Sequence, residues 1–354
     1  MNCQLSPSNF KRLLLWELFF LLFSQAAFPH FPTIFVMEKL IISRYNLQDI
    51  IDSEAKGPAL TEKKFDFTVD YKKLKIFDEY NSKDILFPLV LSSPHSGQTF
   101  PEEFLNAVTM PADILRSNED SFVDELILPA SNTGIPLVCM NISRAFIDVN
   151  RDKIEIDPKM YYNYPSQGDV QGGIRCRVGL GVVHRINAKR ENIYDGLLDY
   201  HEVQERIKYV YDVYHKKLQQ LIDKTLKKFG FCFVLDCHSM PSKICSVMQE
   251  SRPIDFCLGT LFDQSCPSEM SDFMKNSLEN FDYKVSANCP YSGAFITFNY
   301  CQPRKKIYTM QLEMNRGLYM AEDVHKKNNK FQKISSDLCS SIEAFANFLL
   351  DFKK

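Results

Sequence analysis

The chain lacks the features that direct a protein to nucleic acid, to a bilayer or to a disulfide-bonded scaffold. Its formal net charge is only −2 over 354 residues, so no bulk basic field exists for nucleic acid, and any attraction for anions must be local. Its eleven cysteines include no closely spaced pair of the kind that binds zinc. Internal repeats and low-complexity segments are also missing. With 45% hydrophobic residues, the chain can bury a large core, and a globular domain is expected.

The first forty residues differ from the rest of the chain. Lys11-Arg12 precede an apolar stretch at 13–23, and small residues follow at 24–27, which is the order of a secretory signal peptide, 1–26. The stretch is too short to span a bilayer, so no stable membrane span is expected. A second interpretation stays open, in which translation begins at Met37. The first interpretation predicts the secretory pathway, and the second predicts a cytoplasmic protein.

The remainder of the chain alternates between strand-like and helical patterns. A polar stretch at 53–64 separates a leader and linker, residues 1–60, from a single catalytic domain, residues 61–354. Buried strands are predicted at 87–92, 135–142, 231–235, 254–261 and 307–312, helices at 111–128, 201–228 and near the carboxyl terminus, and a long loop at 161–178. Strands that alternate with helices predict an α/β fold in which helices cover a mixed sheet.

Two predicted strands are followed by a histidine. His95 comes just after one apolar run and His238 just after another, and the carboxyl ends of such strands meet at one edge of a sheet. A catalytic zinc site needs about three nitrogen or oxygen ligands and an open position. The polar cluster Asn118-Glu119-Asp120 offers the third ligand, with Asp120 favoured and Glu119 as the alternative. Ordinary hydrogen-bonded histidines near a core remain the other interpretation.

A carboxylate follows a third apolar run. Glu313 stands at the predicted end of the strand at 307–312, where it can act as the general base that a hydrolytic zinc site requires. The alternative is a structural ion pair with Arg316, three residues later.

Arginines follow the strand predicted at 135–142. Arg144 and Arg151, with Asn150, offer donors to two different oxygens of one substrate, a reacting carbonyl and a fixed carboxylate. A solvated charged loop is the alternative. The segments GLGVVHR at 179–185 and NCPYSG at 288–293 are two further loops, one of which can hold an anion and the other of which can place Tyr291 over the site. Each is equally consistent with a structural turn.

Taken in order, these segments resemble the N-formylglutamate amidohydrolase family. The pieces that carry the resemblance are SPHSG at 93–97, Asp120 with FVD at 122–124, Arg144 with DVNR at 148–151, GLGV at 179–182, DCHSMP at 236–241, NCPYSG at 288–293 and QLEMNRGLYM at 311–320. That family is similar to the zinc carboxypeptidases and aspartoacylases. The resemblance implies an α/β domain with a mixed, mostly parallel central sheet flanked by helices, and hydrolysis of an amide bond beside a carboxylate.

The resemblance also implies a ligand set and a base. His95, Asp120 and His238 would bind one zinc ion per chain, and Glu313 would be the general base and proton shuttle. Carboxypeptidases and aspartoacylases have a glutamate ligand three residues after the first histidine, but here that position is Gln98. The third ligand must therefore come from elsewhere in the chain.

The remaining implied roles concern the substrate. Arg144 would polarise the scissile carbonyl, and Asn150 with Arg151 would hold the substrate α-carboxylate. The resemblance also implies that Tyr291, Gly293 and Arg316, which lie in the matched segments, take part in substrate binding.

The expected reaction converts N-formyl-L-glutamate and water into L-glutamate and formate. The expected partner is therefore a small molecule, an N-acylated acidic amino acid, and not nucleic acid. Three alternatives stay open: a related zinc N-acyl amino acid deacylase or carboxypeptidase, a catalytically inactive amino-acid-binding homologue, and a purely structural protein without stoichiometric metal.

Overall fold

The computed structural model describes residues 60–108, 110–165, 176, 178–247 and 252–352. The predicted leader and linker, residues 1–60, therefore lie outside the described residues apart from Leu60. Most of the loop predicted at 161–178 also lies outside them. The domain boundary between 60 and 61 stays a prediction.

A seven-stranded mixed sheet forms the centre of the domain. The strands of the described residues, including four that lie outside this sheet, are, in chain order, β1 (Lys64–Phe65), β2 (Phe77–Tyr80), β3 (Leu89–Ser93), β4 (Leu137–Met140), β5 (Leu197–Leu198), β6 (Cys232–Met240), β7 (Phe256–Gly259), β8 (Val285–Ala287), β9 (Ile307–Asn315), β10 (Met320–Ala321) and β11 (Lys326–Lys327). The sheet has the order β2-β4-β3-β6-β9-β7-β8, and β1–β5 and β10–β11 form separate short pairs. β4, β3, β6 and β9 run parallel, whereas β2 and β7 run antiparallel to their neighbours β4 and β9. The predicted mixed, mostly parallel sheet is confirmed.

Helices cover both faces of this sheet. They are α1 (Glu102–Ala107), α2 (Ala112–Leu115), α3 (Val123–Ser131), α4 (Tyr200–Arg206), α5 (Asp212–Phe229), α6 (Ser242–Val247), α7 (Ser268–Glu279), α8 (Phe295–Tyr300) and α9 (Phe331–Asp351), with a π-helical turn, Ile207–Tyr211, between α4 and α5. Val90 of β3 packs in the core that contains α4 and α5, whereas Leu89 and Leu91 pack with α3, α7 and α9. This alternation is expected of a strand that is buried on both faces. Among the described residues, none of the helices has the length and apolar character needed to cross a bilayer.

The helix predicted over 111–128 is wrong as a continuous element. α2 ends at Leu115, a 3-10 turn follows at Arg116–Asn118, and α3 begins only at Val123. Phe122, just before α3, has a φ of 68°, which no right-handed helix accommodates. The break brings residue 120 beside the end of β3. Apolar periodicity reports which residues are buried, and it therefore did not reveal the interruption.

The strands that carry polar residues are longer than predicted. β6 continues to Met240 and β9 to Asn315, past the predicted ends at 235 and 312. His238 and Glu313 consequently lie inside strands, directly opposite each other in the parallel pairing. The run predicted at 254–261 forms only β7, which is antiparallel to β9.

Candidate active site

The polar residues singled out in the sequence meet at the carboxyl edge of the parallel strands. His95 lies two residues beyond β3, and His238 and Glu313 occupy paired positions near the ends of β6 and β9. The break between α2 and α3 supplies Asp120, whose backbone N–H donates to the His95 carbonyl oxygen at 3.0 Å. The predicted strand edge therefore gathers these four side chains in one place.

Three of these side chains form a group that can hold a metal ion. The ligating atoms of His95, Asp120 and His238 all lie within 4.8 Å of one another, and all three residues are buried. Asp120 Oδ2 lies 3.4 Å from His95 Nδ1 and 3.0 Å from His238 Nδ1. Ligands about 2.0–2.1 Å from a tetrahedral ion stand roughly 3.3 Å apart, so these separations suit zinc.

Two further carboxylates fix the histidine rings. His95 Nε2 lies 2.7 Å from Asp148 Oδ1, and His238 Nε2 lies 2.7 Å from Asp236 Oδ2. Because an ionised carboxylate only accepts, each Nε2 donates to its carboxylate, and each Nδ1 is the nitrogen that faces Asp120 Oδ2. His95 Nδ1 is buried without a hydrogen-bond partner. A carboxylate behind each ligating histidine and an unsatisfied nitrogen in front are what a metal site requires.

Asp120 is held as an anion. Its Oδ1 accepts a hydrogen bond from Arg316 Nη2 at 2.8 Å and another from Ser239 Oγ at 3.2 Å. Burial opposes the ionisation of Asp120, but bonds with His238 and His95 and the charge of Arg316 outweigh burial and hold its pKa well below the usual value. Arg316 is therefore paired with Asp120, and the alternative ion pair between Glu313 and Arg316 is not among the ion pairs of the described residues.

Glu119 lies outside the metal-binding group. Its Oε2 accepts from Arg116 Nε at 3.1 Å, and burial raises its pKa to about 7, against the charge of Arg116. The group that can hold an ion contains Asp120 and not Glu119.

Glu313 combines a buried carboxyl group with one uncommitted oxygen. Oε1 accepts from Gln311 Nε2 at 2.7 Å, whereas Oε2 is buried and has no hydrogen-bond partner. Burial raises the pKa of Glu313 to about 7, with a partial offset from the charge of His238. A carboxylate with a pKa near neutrality is suited to accepting and returning a proton.

Asp148 connects the first histidine to the arginine segment. Its Oδ2 accepts from Arg144 Nε at 3.1 Å and from Arg144 Nη2 at 2.6 Å, and it lies 3.1 Å from His184 Nε2. Burial disfavours the Asp148 charge, but Arg144 and His95 outweigh that effect and hold its pKa well below the usual value. Burial lowers the pKa of His184 to about 4. One carboxylate thus orients both a metal-ligand candidate and an arginine of the cavity wall.

Asn150 and Arg151 are buried against the protein. The side chains of Arg144 and Arg151 are only 15% and 11% exposed, so the interpretation as a solvated loop is wrong. Asn150 Oδ1 accepts from the Ile296 backbone N–H at 2.7 Å, and its Nδ2 lies 3.4 Å from Asp236 Oδ2. Arg151 Nη1 donates to the Asn150 carbonyl oxygen at 3.1 Å. The amide of Asn150 is therefore engaged inside the protein, beside the second histidine.

The loop that carries Tyr291 and Gly293 forms another wall. Gly293 has a φ of 120°, and a Cβ there would stand 2.8 Å from Leu261 Cδ2, so glycine is required. Gly259 is equally restricted, because its Cβ would lie 2.6 Å from Gly293 N. Close backbone packing thus fixes this wall beside Glu313.

These residues surround one cavity of about 470 Å³. Its walls include every residue predicted for the site except Glu119: His95, Asp120, Arg144, Asn150, Arg151, His238, Tyr291, Gly293, Glu313 and Arg316. His184 and Arg190 also line it. The size is appropriate for a small-molecule ligand.

Sequence reasoning missed the supporting residues. Asp148 lies in the DVNR segment and Asp236 stands two residues before His238, but neither received a role. Aspartates placed next to residues of a candidate site were the available signal. His184 was read only as part of an anion-binding turn, and nothing local indicates that its ring faces Asp148.

Fold and site together define an α/β enzyme with a candidate metal centre at the carboxyl edge of its sheet. Residues 87–320 match the model of a family described as N-formylglutamate amidohydrolase. The chain belongs to the N-formylglutamate amidohydrolase family, and the predicted resemblance is confirmed. It is accordingly a hydrolase that acts on an amide bond, with a small-molecule substrate.

Similar proteins carry related names. The chain is 26% identical over 238 residues to an N-formylglutamate deformylase of Pseudomonas putida, covering 66% of this chain and 82% of that one. It is 24% identical over 244 residues to the enzyme so named in Pseudomonas aeruginosa, covering 66% and 83%. The crystal structure of an N-formylglutamate amidohydrolase from Ralstonia eutropha matches with a TM-score of 0.70 and 29% identity, covering 78% of this chain and 99% of that one.

Proposed function

We propose that this protein is a zinc-dependent hydrolase that converts N-formyl-L-glutamate and water into L-glutamate and formate. The observation that carries the proposal is the convergence of His95 Nδ1, His238 Nδ1 and Asp120 Oδ2 on one buried point. Two imidazole nitrogens and one carboxylate oxygen are a donor set that zinc prefers. The names of the relatives supply the substrate.

Zinc bound by these three residues would act as a Lewis acid and lower the pKa of water at the site. Glu313 would take a proton from the attacking water at Oε2, the oxygen without a partner. The water oxygen would bond to the formyl carbon as the carbonyl electrons move onto the formyl oxygen, and the carbon–nitrogen bond would break when that carbonyl re-forms. Glu313 would then return the proton to the amine nitrogen, so that formate and L-glutamate leave and the carboxylate is regenerated.

The arginines would stabilise developing charge and bind the substrate. Arg144 is held by Asp148 through Nε and Nη2, which orients its guanidinium to stabilise the negative charge that develops on the formyl oxygen. Arg151 would bind the α-carboxylate, and Asn150 would position Arg151 through its carbonyl oxygen. Tyr291 and Gly293 would shape the wall that excludes water, and Arg316 would keep Asp120 ionised. A fold-level likeness to zinc carboxypeptidases is part of this proposal.

A substrate panel tests the assignment on the full-length protein. Formate release from N-formyl-L-glutamate should exceed the hydrolysis of N-acetyl-L-glutamate and of a glutamyl dipeptide. Preference for the acetyl compound or the peptide would indicate a deacylase or a carboxypeptidase instead. Metal-loaded protein that binds L-glutamate but hydrolyses none of the three compounds would indicate a catalytically inactive homologue.

A further inference from the structure

We propose that Arg190 determines specificity for an acidic side chain by binding the substrate carboxylate that is remote from the scissile amide. This inference rests on the proposed function and extends it to a residue that neither the motifs nor the ligand set includes. Arg190 lines the same cavity as Glu313 and the candidate metal ligands. It is exposed to solvent, whereas those residues are buried.

The charges inside the cavity create the need for such a residue. Arg144 forms an ion pair with Asp148 at 2.6 Å, and Arg316 forms one with Asp120 at 2.8 Å. These two guanidiniums lie directly against carboxylates of the protein, whereas Arg151 Nε is farther away, 3.9 Å from Asp148 Oδ2. N-formyl-L-glutamate brings two carboxylates, and Arg151 is assigned to one of them. Among the described residues that line this cavity, Arg190 is the fourth arginine, and we assign the other carboxylate to it.

Side-chain hydrogen bonds from a buried asparagine hold the turn that carries Arg190. The side chain of Asn187, which is only 1% exposed, accepts from the backbone N–H groups of Lys189 and Glu191 at 2.9 Å each. Asn187 Nδ2 also donates to Glu191 Oε2 at 2.8 Å. Arg190 itself has a φ of 64°, and its N–H donates to the Asn187 carbonyl oxygen at 3.0 Å. The bonds made by Asn187 therefore fix the backbone of the turn that carries Arg190.

The turn also contains its own control residue. Ala188 and Arg190 line the cavity, but Lys189, which lies between them, does not. Lys189 is exposed like Arg190. Replacing either residue by glutamine removes one positive charge from the same turn, so any difference between the two variants reports contact with the substrate and not the long-range field.

The test compares Arg190→Gln and Lys189→Gln on N-formyl-L-glutamate and on its neutral isostere N-formyl-L-glutamine. For Arg190→Gln we expect kcat/KM on the glutamate compound to fall about 10- to 100-fold, because a charged hydrogen bond is lost, mainly through KM. The glutamine compound should change less than about twofold. Lys189→Gln should behave like the wild type. Arg190→Lys should be intermediate, because it keeps the charge but loses the bidentate fork.

Equal losses on both substrates, equal effects of the two glutamine variants, or an unchanged preference in Arg190→Gln would each overturn the inference. A binding measurement separates it from the proposed function. Calorimetry should show L-glutamate bound at least about tenfold more tightly by the wild type than by Arg190→Gln. If the wild type releases no formate yet keeps that difference, the proposed reaction fails and the role of Arg190 stands. If the wild type binds L-glutamate and L-glutamine equally, the inference fails.

Discussion

Replacing Glu313 by glutamine is expected to remove turnover while making the metal-free protein more stable at pH 8. Glu313 is 6% exposed, and its Oε2 is buried without a hydrogen-bond partner, so ionisation of its carboxyl group is penalised in the folded state. Burial raises its pKa from 4.5 to about 7. Since one pKa unit corresponds to 1.36 kcal/mol, the full penalty is about 3 kcal/mol.

The direction of this pH dependence follows from the number of protons that the folded and unfolded states bind. Below pH 4.5 the carboxyl group is protonated in the folded and unfolded states, and it contributes no difference. Between pH 4.5 and about 7 the folded protein retains a proton that the unfolded chain has released, so the free energy of unfolding falls as pH rises. The free energy of unfolding of Glu313→Gln should therefore exceed that of the wild type by about 3 kcal/mol at pH 8 and by less than about 1 kcal/mol at pH 5.

Urea unfolding of chelator-treated full-length protein at the two pH values measures this difference. Formate release and zinc content are measured on the same preparations. The variant should keep its zinc and lose about 10²- to 10⁴-fold in kcat, because proton transfer by a side chain contributes that much. Glu119→Gln is the matched control, because it also removes a buried carboxyl group with a pKa of about 7, but one outside the cavity. It should gain stability with the same pH dependence and retain activity.

Two results would refute this reasoning about Glu313. Turnover above about a tenth of the wild-type rate would mean that another group moves the proton. A stability change of equal size at pH 5 and pH 8 would mean that the buried charge is not its cause.

The remaining predictions concern the ligands and a buried histidine. Asp120→Ala should leave less than one zinc per chain after dialysis, because Nδ1 of His95 and Nδ1 of His238 both face its Oδ2. Glu119→Gln should retain one zinc per chain. The reverse pattern would make Glu119 the third ligand. His215 donates to Val149 O and contacts Tyr300 Oη, each at 2.8 Å, and burial lowers its pKa to about 4. The neutral His215 ring contributes about 3 kcal/mol to the free energy of unfolding, and this contribution is complete above pH 6.5 and is lost as pH falls toward 4. The free energy of unfolding of His215→Gln should therefore depend less steeply on pH between those values. An unchanged pH dependence would contradict this.

Much of the site was predictable because its polar residues stand at or near the carboxyl ends of buried strands. Apolar runs that end in polar residues located His95, His238 and Glu313 at one sheet edge, and the structure places His238 directly opposite Glu313. The strand ends themselves were misplaced. Polar residues that are buried inside a strand, such as Asp236, interrupt the apolar pattern although the backbone pairing continues.

What the sequence did not reveal depends on side-chain direction and on long-range contacts. Arg316 lies three residues from Glu313 but bonds to Asp120, which is 196 residues away. The sequence also did not indicate that Asn150 Oδ1 accepts from the Ile296 backbone N–H on α8; the predicted contact of Asn150 with substrate stays a prediction. A one-dimensional pattern gives the face on which a residue lies, but it does not give the partner that its side chain reaches.

Zinc titration of the metal-free full-length protein, with formate release followed at each addition, tests the central claim most directly. Activity on N-formyl-L-glutamate should rise linearly and stop rising at one zinc per chain, and His238→Ala should show no such rise. Full formate release from protein shown to contain no metal would contradict it.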